Sequence, residues 1–240
     1  MTTKEFSAGM DVALNSYALP TPFGEAENKL AIQLNEYEKS WWLTKAQEEY
    51  VLSIYTGRNP TGESFESTEE MRRYLSALIT EDEISPETKD VAGVVGVGDS
   101  TFFVLSDDVW FITYEAVKLE GATCDSLSTI EVVPVTQDEY HRIKKNPFRG
   151  ANKRRALRLD LPDNMVEIVC KNPISKYYVR YLRRPQPIIV ANLDGETICC
   201  RRNVTECELP ESLHQKILDL AVQMAAQSKG YNRITNNENK

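Results

Sequence analysis

Residues 177–190 read YYVRYLRRPQPIIV. In an extended strand, side chains alternate between faces, so Tyr177, Val179, Tyr181 and Arg183 share one face. Tyr178, Arg180, Leu182 and Arg184 share the other. The first is a good core face; the second is amphipathic, its arginines set among a tyrosine and a leucine. Pro185 and Pro187 cannot donate ladder hydrogen bonds, so this end of the strand is an edge or leaves the sheet. Arginine and aromatic side chains on an outward strand face suit an acidic protein neighbour or a phosphate backbone. Arg180, Arg183 and Arg184 are therefore candidate interface residues.

Working upstream, TFFVLSDDVWFITYEAVKL (101–119) reads as two strands joined by a tight Asp107-Asp108 turn, with Val109, Phe111 and Thr113 alternating against Trp110, Ile112 and Tyr114. STIEVVPV, ALRLDL and MVEIVC are further strands, and Thr136 caps a short helix that stops near Pro147. TEDEISPETKD (80–90) is an acidic loop, and Thr68 opens a helix through EEMRRYLSALI. A long helix is expected over about 25–55, with stripes Leu30, Leu34, Tyr37, Trp41 and then Leu43, Ala46, Tyr50, Ile54. Its apolar face shifts midway, which predicts more than one packing neighbour and makes Trp41 and Trp42 interface candidates as well. Phe6, Met10, Leu14 and Tyr17 mark a short first helix. A closing helix starts at Pro210 with Leu213, Ile217, Leu220, Ala221 and Met224 on one face. The fold class is α+β: N-terminal helices, a mostly antiparallel β-sheet and a C-terminal helix. The corresponding portions are 1–90, 91–208 and 209–228, followed by a polar tail over 229–240.

Charge is segregated along the chain. Residues 1–140 hold 9 basic and 26 acidic side chains, whereas 141–184 hold 13 and 3. An acidic body thus carries a basic band, including Arg154 and Arg155, that can face a polyanion or another copy's acidic surface. Five irregularly spaced cysteines fit reduced thiols rather than a disulfide framework. The first residues lack the apolar stretch of a secretory signal, and no apolar run reaches a membrane-spanning length, so synthesis and use in a cytoplasm are expected.

No stretch supplies persuasive catalysis. GVVGVGDS (93–100) is glycine-rich but has neither the P-loop lysine nor dinucleotide spacing, and it reads as a turn-forming segment. Cys199, Cys200, Cys207 and His214 lack the cysteine pairing of a structural zinc site. The adjacent Cys199 and Cys200 are expected on opposite faces of a strand, as ordinary buried thiols. His141 and His214 each sit on an expected helix without a nucleophile arrangement beside them. No catalytic, cofactor-binding or metal residue is assigned.

The blocks VPVTQDEYHRIKKNPFRGANKRRALRLDL, SKYYVRYLRRPQPIIV and TECELPESLHQKILDLAVQMA, with the opening MDVALNSYALPTPFGEAENKLAIQLNEYEKSWWLTKAQEEYVLSIYTG, resemble neck ring proteins of crAss-like tailed phages of Bacteroidales. The resemblance covers most of the chain in the same order of segments. It implies a head-to-tail connector ring, twelve-fold, made in the bacterial host and seated in the virion neck beneath the portal. Such a ring holds further neck or tail proteins, and double-stranded DNA passes through its lumen. It implies the helical part as ring wall, the sheet as neighbour contact, and the C-terminal helix and tail, including Tyr231, Arg233 and Ile234, as portal attachment. It brings no catalytic residues and no cofactor. The alternative from the residues alone is sequence-independent binding of duplex DNA by the 141–184 band. An enzyme using His141 or His214 is a third reading.

Overall fold

A computed structural model describes residues 1–17, 33–87, 100–121 and 129–229. The elements in chain order are α1 (Thr3–Tyr17), α2 (Glu36–Thr56), α3 (Glu69–Tyr74), a short 3-10 turn (Ser76–Leu78), β1 (Ile79–Ile84), β2 (Ser100–Val104), β3 (Val109–Leu119), β4 (Thr129–Pro134), α4 (Gln137–Ile143), β5 (Arg155–Asp160), β6 (Met165–Val169), β7 (Ile174–Arg183) and α5 (Glu211–Ser228). The fold is α+β. The chain divides into two compact units. Ile79–Arg184 forms the β unit, and Met1–Leu78 joins Pro185–Lys240 in the helical unit. Among the described residues, no helix is long and apolar enough to cross a membrane.

The β unit is one seven-stranded sheet in the order β1-β7-β3-β4-β5-β6-β2. Every pairing is antiparallel except β4 with β5, which α4 and its loops connect in parallel. A bridge between Glu87, just beyond β1, and Phe102 in β2 joins the two ends of that order, so the sheet curls back on itself. Inside lie Phe103, Val117, Ile130, Val132, Ala156, Val166, Ile168, Tyr177, Val179 and Tyr181, drawn from six strands. The expected core face of β7 is thus the buried one. On the outside of β5 and β6, Leu157, Leu159 and Val169 are covered by Tyr140 and Ile143 of α4.

Several sequence expectations change here. The acidic segment after residue 79 is strand β1 rather than a loop, because its pairing places Glu81 opposite Arg180 and Glu83 opposite Tyr178, with Lys176 in reach. The Asp107-Asp108 turn exists, closed by the Val109 N–H to Ser106 O bond of 3.2 Å, but its flanking strands do not pair. β2 pairs with β6, while β3 pairs with β4 and β7. Register shifts break the expected alternation between Val109 and Phe111 and between Ile112 and Tyr114. Ile112 therefore packs on the core while Tyr114, two residues on, is 55% exposed. Finally, β7 is no edge strand, since β1 and β3 flank it; the prolines instead mark where the chain leaves the sheet.

In the helical unit, α2 begins at Glu36 rather than near 25. Asn35 is extended, and its side chain accepts from the Glu38 N–H (2.7 Å) while Glu38 accepts from the Asn35 N–H (3.0 Å). Leu34 precedes the helix, and Leu30 lies outside the described residues. Leu43, Ala46 and Ile54 are buried as their spacing predicts. A second, polar stripe was not anticipated. Ser40, Thr44 and Gln47 face the extended segment after Pro185: Val190 N–H donates to Ser40 (3.1 Å), Ile188 N–H to Thr44 (3.1 Å), and Gln47 donates to Gln186 O (3.0 Å). The helix thereby satisfies backbone groups that no strand pairs. Lys39 is buried against Asp11 (2.7 Å) and Glu36 (3.2 Å). Burial alone would lower its pKa, but the two carboxylates outweigh that and hold it above the ordinary lysine value. In α5, Leu213, Ile217 and Ala221 are buried as expected, with Pro210 at the N-cap.

Cys199 and Cys200 are not on opposite strand faces, nor buried. They form a two-residue hairpin turn with φ of 47° and 62°, closed by reciprocal Ile198–Arg201 backbone bonds of 3.0 and 2.9 Å. Two left-handed non-glycine residues in succession store strain. The double variant Cys199→Asn, Cys200→Gly is expected to stabilise the chain by about 0.5–1 kcal/mol. A melting temperature equal to or below that of the parent in thermal unfolding would contradict the turn geometry.

Candidate interaction surface

The interface candidates fall into three places. Arg180 and Arg184 project from the outer face of β7. Arg180 contacts Glu81 through Nε (2.7 Å) and Nη2 (2.6 Å), and its guanidinium lies 6.0 Å from the Tyr114 ring centroid. Arg184 sits 5.9 Å from the Trp110 ring, which stacks on Phe111 at 5.0 Å. Arg183 is half-buried and donates to Arg184 O at 3.3 Å. Arg154 and Arg155 lie at the start of β5, three strand positions from β7, or about 14 Å at ordinary strand spacing. The two groups of arginines are not brought together. Trp41 and Trp42 belong to α2 in the helical unit, packed edge to face at 4.5 Å, with Trp41 37% exposed. Tyr231, Arg233 and Ile234, and the glycine-rich stretch over 93–98, lie outside the described residues.

Folding spends part of the basic band internally. Arg180 pairs with Glu81, Lys176 with Glu83, and Arg158 with Glu115 and Asp160. The acidic partners come from β1, β3 and β5, so the band and much of the acid opposite it sit in one unit. Net attraction to a polyanion is correspondingly less than the linear count suggests.

The Arg158 cluster escaped sequence reading. Glu115 is in phase with the buried Val117 and Leu119, and Arg158 with Ala156, so both ionisable side chains point into the sheet's interior. Tyr177 donates to Glu115 Oε2 (2.8 Å), Arg158 bonds the other carboxylate oxygen, and Arg158 Nε lies 3.0 Å from Asp160. Burial pushes the Glu115 carboxyl up while Arg158 and Tyr177 pull it down, and burial wins. Burial would depress Arg158, but Glu115 and Asp160 raise it above its ordinary value, so it stays cationic. Burial and the Glu115 charge push the Tyr177 hydroxyl far above the tyrosine range, which keeps it a donor. An ionisable residue in phase with an apolar strand face is the signal that would have found this cluster.

Neither histidine is placed for chemistry. His214 is buried, with Nε2 2.8 Å from Leu209 O and its ring 5.4 Å from Phe6. His141 is exposed near Lys144. Among the described residues no His, Cys, Asp and Glu side chains cluster to hold a metal ion. Cys207 is half-buried, and burial raises its thiol to about 11, which leaves it protonated at neutral pH.

Comparison with known proteins finds a match over residues 1–239 to the family model described as phage tail ring protein 3/4. The chain is 46% identical over 234 residues to "Ring protein 3" of Bacteroides phage crAss001, covering 95% of this chain and 96% of that protein. It is also 31% identical over 243 residues to "Ring protein 4/5" of the same phage, covering 94% and 92%.

Removing one member of the buried cluster leaves an uncompensated charge. Glu115→Gln or Arg158→Met alone is expected to cost about 3–5 kcal/mol, while Glu115→Leu with Arg158→Met recovers most of that loss. Urea unfolding of the singles and the double checks this, and simple addition of the two losses would refute it. A second prediction concerns alkali. Burial and a 2.7 Å bond to Asp82 raise the Tyr181 hydroxyl from 10.0 to about 12. The stabilisation is complete below the ordinary tyrosine value and disappears as pH climbs towards the raised one. In Tyr181→Phe, the fall in stability between pH 10 and 12 should be shallower than in the parent.

Proposed function

This chain belongs to the phage tail ring protein 3/4 family, and from that membership we propose that it is a structural virion protein whose copies close into a ring in the phage neck. The observation that carries the reading is the match over residues 1–239, with two relatives named as ring proteins over more than nine-tenths of this chain. In this reading twelve subunits pack head to tail, a heterologous contact that closes by rotation. The helical unit forms the ring wall and the β unit the contact between neighbours. Arg154, Arg155, Arg180, Arg183, Arg184, Trp41 and Trp42 serve subunit or partner contacts. The C-terminal helix and tail, with Tyr231, Arg233 and Ile234, attach to the portal, and adjacent neck or tail rings stack below. Duplex DNA passes through the lumen on packaging and ejection, with no reaction performed and no cofactor engaged. Synthesis is in the bacterial host cytoplasm.

A net charge of −8 supports passage of DNA rather than capture, because duplex affinity rises with the number of phosphates neutralised. One observation favours a second reading, direct duplex binding. Seven cations and no acidic residue occupy 141–155, and none of the seven forms an ion pair among the described residues.

Cryo-microscopy of virions should show this chain as a closed ring between capsid and tail, and its absence there would refute the ring. Titration of the purified chain with duplex DNA separates the second reading. Affinity that falls steeply with salt and vanishes when Arg154, Arg155, Arg180 and Arg184 become Glu would favour it. Weak binding, insensitive to those changes, is the expected result.

A further inference from the structure

The connection between α4 and β5 is a built loop. Asn146 Oδ1 accepts from the N–H groups of Phe148 (2.9 Å) and Arg149 (3.3 Å), and Gly150 N–H donates to Asn146 O (2.7 Å). A Cβ on Gly150 would lie 2.7 Å from Asn146 O and 2.9 Å from Ile143 O, so only glycine permits this closeness. Arg155 donates to Phe148 O (3.3 Å), while Asn152 and Arg155 exchange backbone bonds of 3.0 and 3.4 Å. The backbone of Phe148 is held on both sides, yet its ring is 85% exposed. An aromatic side chain displayed on a fixed loop has lost little freedom still to lose on docking. The same stretch of chain carries Arg142, Lys144, Lys145, Arg149, Lys153 and Arg154, none of which forms an ion pair among the described residues.

The complementary feature lies on the outer face of β1, β7 and β3. There Tyr114, Tyr178 and Ala116 line a groove of about 540 Å³ together with Lys118 and Arg180, bordered by the outward carboxylates Glu81 and Glu83. Among the described residues Arg180 contacts Glu81 and Lys176 contacts Glu83 through Oε1, so the second oxygen of each carboxylate can accept another cation. The volume falls within the about 300–1,000 Å³ range of drug-sized sites, enough for a benzyl ring and a flanking guanidinium. Tyrosine faces suit both.

We propose that Phe148 of one copy seats in the Tyr114–Tyr178 groove of the next copy, with the loop's cations over Glu81 and Glu83. The inference rests on the ring reading and supplies its contact. Loop and groove are different surfaces of the β unit, so the contact is heterologous and propagates from copy to copy, as ring closure requires. A nucleic acid does not meet the same requirements: it can use the cations, but the acidic border of the groove repels it and the exposed ring has no pocket in a phosphate backbone.

The test uses phage carrying Phe148→Cys together with Tyr114→Cys, oxidised within assembled particles. The expected result is a reducible ladder of chain multiples on a gel, absent from phage carrying either cysteine alone. Phe148→Ala should lower incorporation of the chain into virions at least tenfold while the purified variant keeps the parent's circular dichroism and melting temperature. Lys145→Glu with Arg149→Glu should also impair incorporation, and adding Glu81→Arg with Glu83→Arg should restore it. Virions that retain the ring with Phe148→Ala and yield no ladder overturn the docking while the ring stands. Wild-type virions without a ring of this chain overturn both. Loss of duplex DNA binding in Phe148→Ala, with incorporation unchanged, would assign the loop to nucleic acid instead.

Discussion

The Arg158 guanidinium, held between Glu115 and Asp160 inside the curled sheet, is the constraint on which the β unit depends. A buried cation without a partner is too costly to keep, so β3, β5 and β7 must present Glu115, Arg158 and Tyr177 to one another in a single register. A slip of one residue in any of these strands would turn its whole core face outward. The same register determines the outer surface. With Tyr177, Val179 and Tyr181 inward, Tyr178 and Arg180 must point outward beside Tyr114. The contacts of Glu115, Arg158 and Tyr177 inside the sheet thus decide which side chains stand on its outer face.

Charge divides into two classes by the same logic. Arg180 and Lys176 on β7 find carboxylates on neighbouring β1, and Arg158 on β5 finds Glu115 on β3 and Asp160 on its own strand, so these cations become part of the fold's own pairing. Cations on the α4–β5 loop form no ion pair among the described residues, and Phe148 in the same loop is exposed. Surface pairs such as Arg180 with Glu81 contribute little to stability by themselves, being exposed and screened by salt. Their effect is to orient side chains. A ring closed head to tail from identical subunits needs two unlike, matching surfaces, one on each flank, and the proposed docking assigns these outward features to them.

The helical unit shows a different economy. Its apolar stripes on α1, α2 and α5 are the usual amphipathic arrangement. Pro185 and Pro187 release the chain from the sheet into an extended segment that bridges only Thr205, through Ile189, among the described residues. Ser40, Thr44 and Gln47, spaced by four and three residues on α2, supply hydrogen bonds to that segment in place of a strand. The question raised by prolines after a strand is answered by hydroxyls more than a hundred residues earlier.

Local physics was legible in the residues themselves. Strand-forming runs marked β2 to β7, period 3.6 marked α1, α2 and α5, and Thr68 and Thr136 marked helix starts through hydroxyls that can accept backbone N–H groups. The acidic β1 was missed because its strand character comes from pairing with β7, not from its own propensity. The Asp107-Asp108 turn was legible but the partners of its strands were not, since a turn constrains four residues and strand order is decided by burial across the unit. Which arginines are consumed and which stay outward was likewise settled only in three dimensions. Sequence determines what a side chain is and which face of its own element it shares; the distance to an opposite charge depends on segments far along the chain, and only folding brings those together.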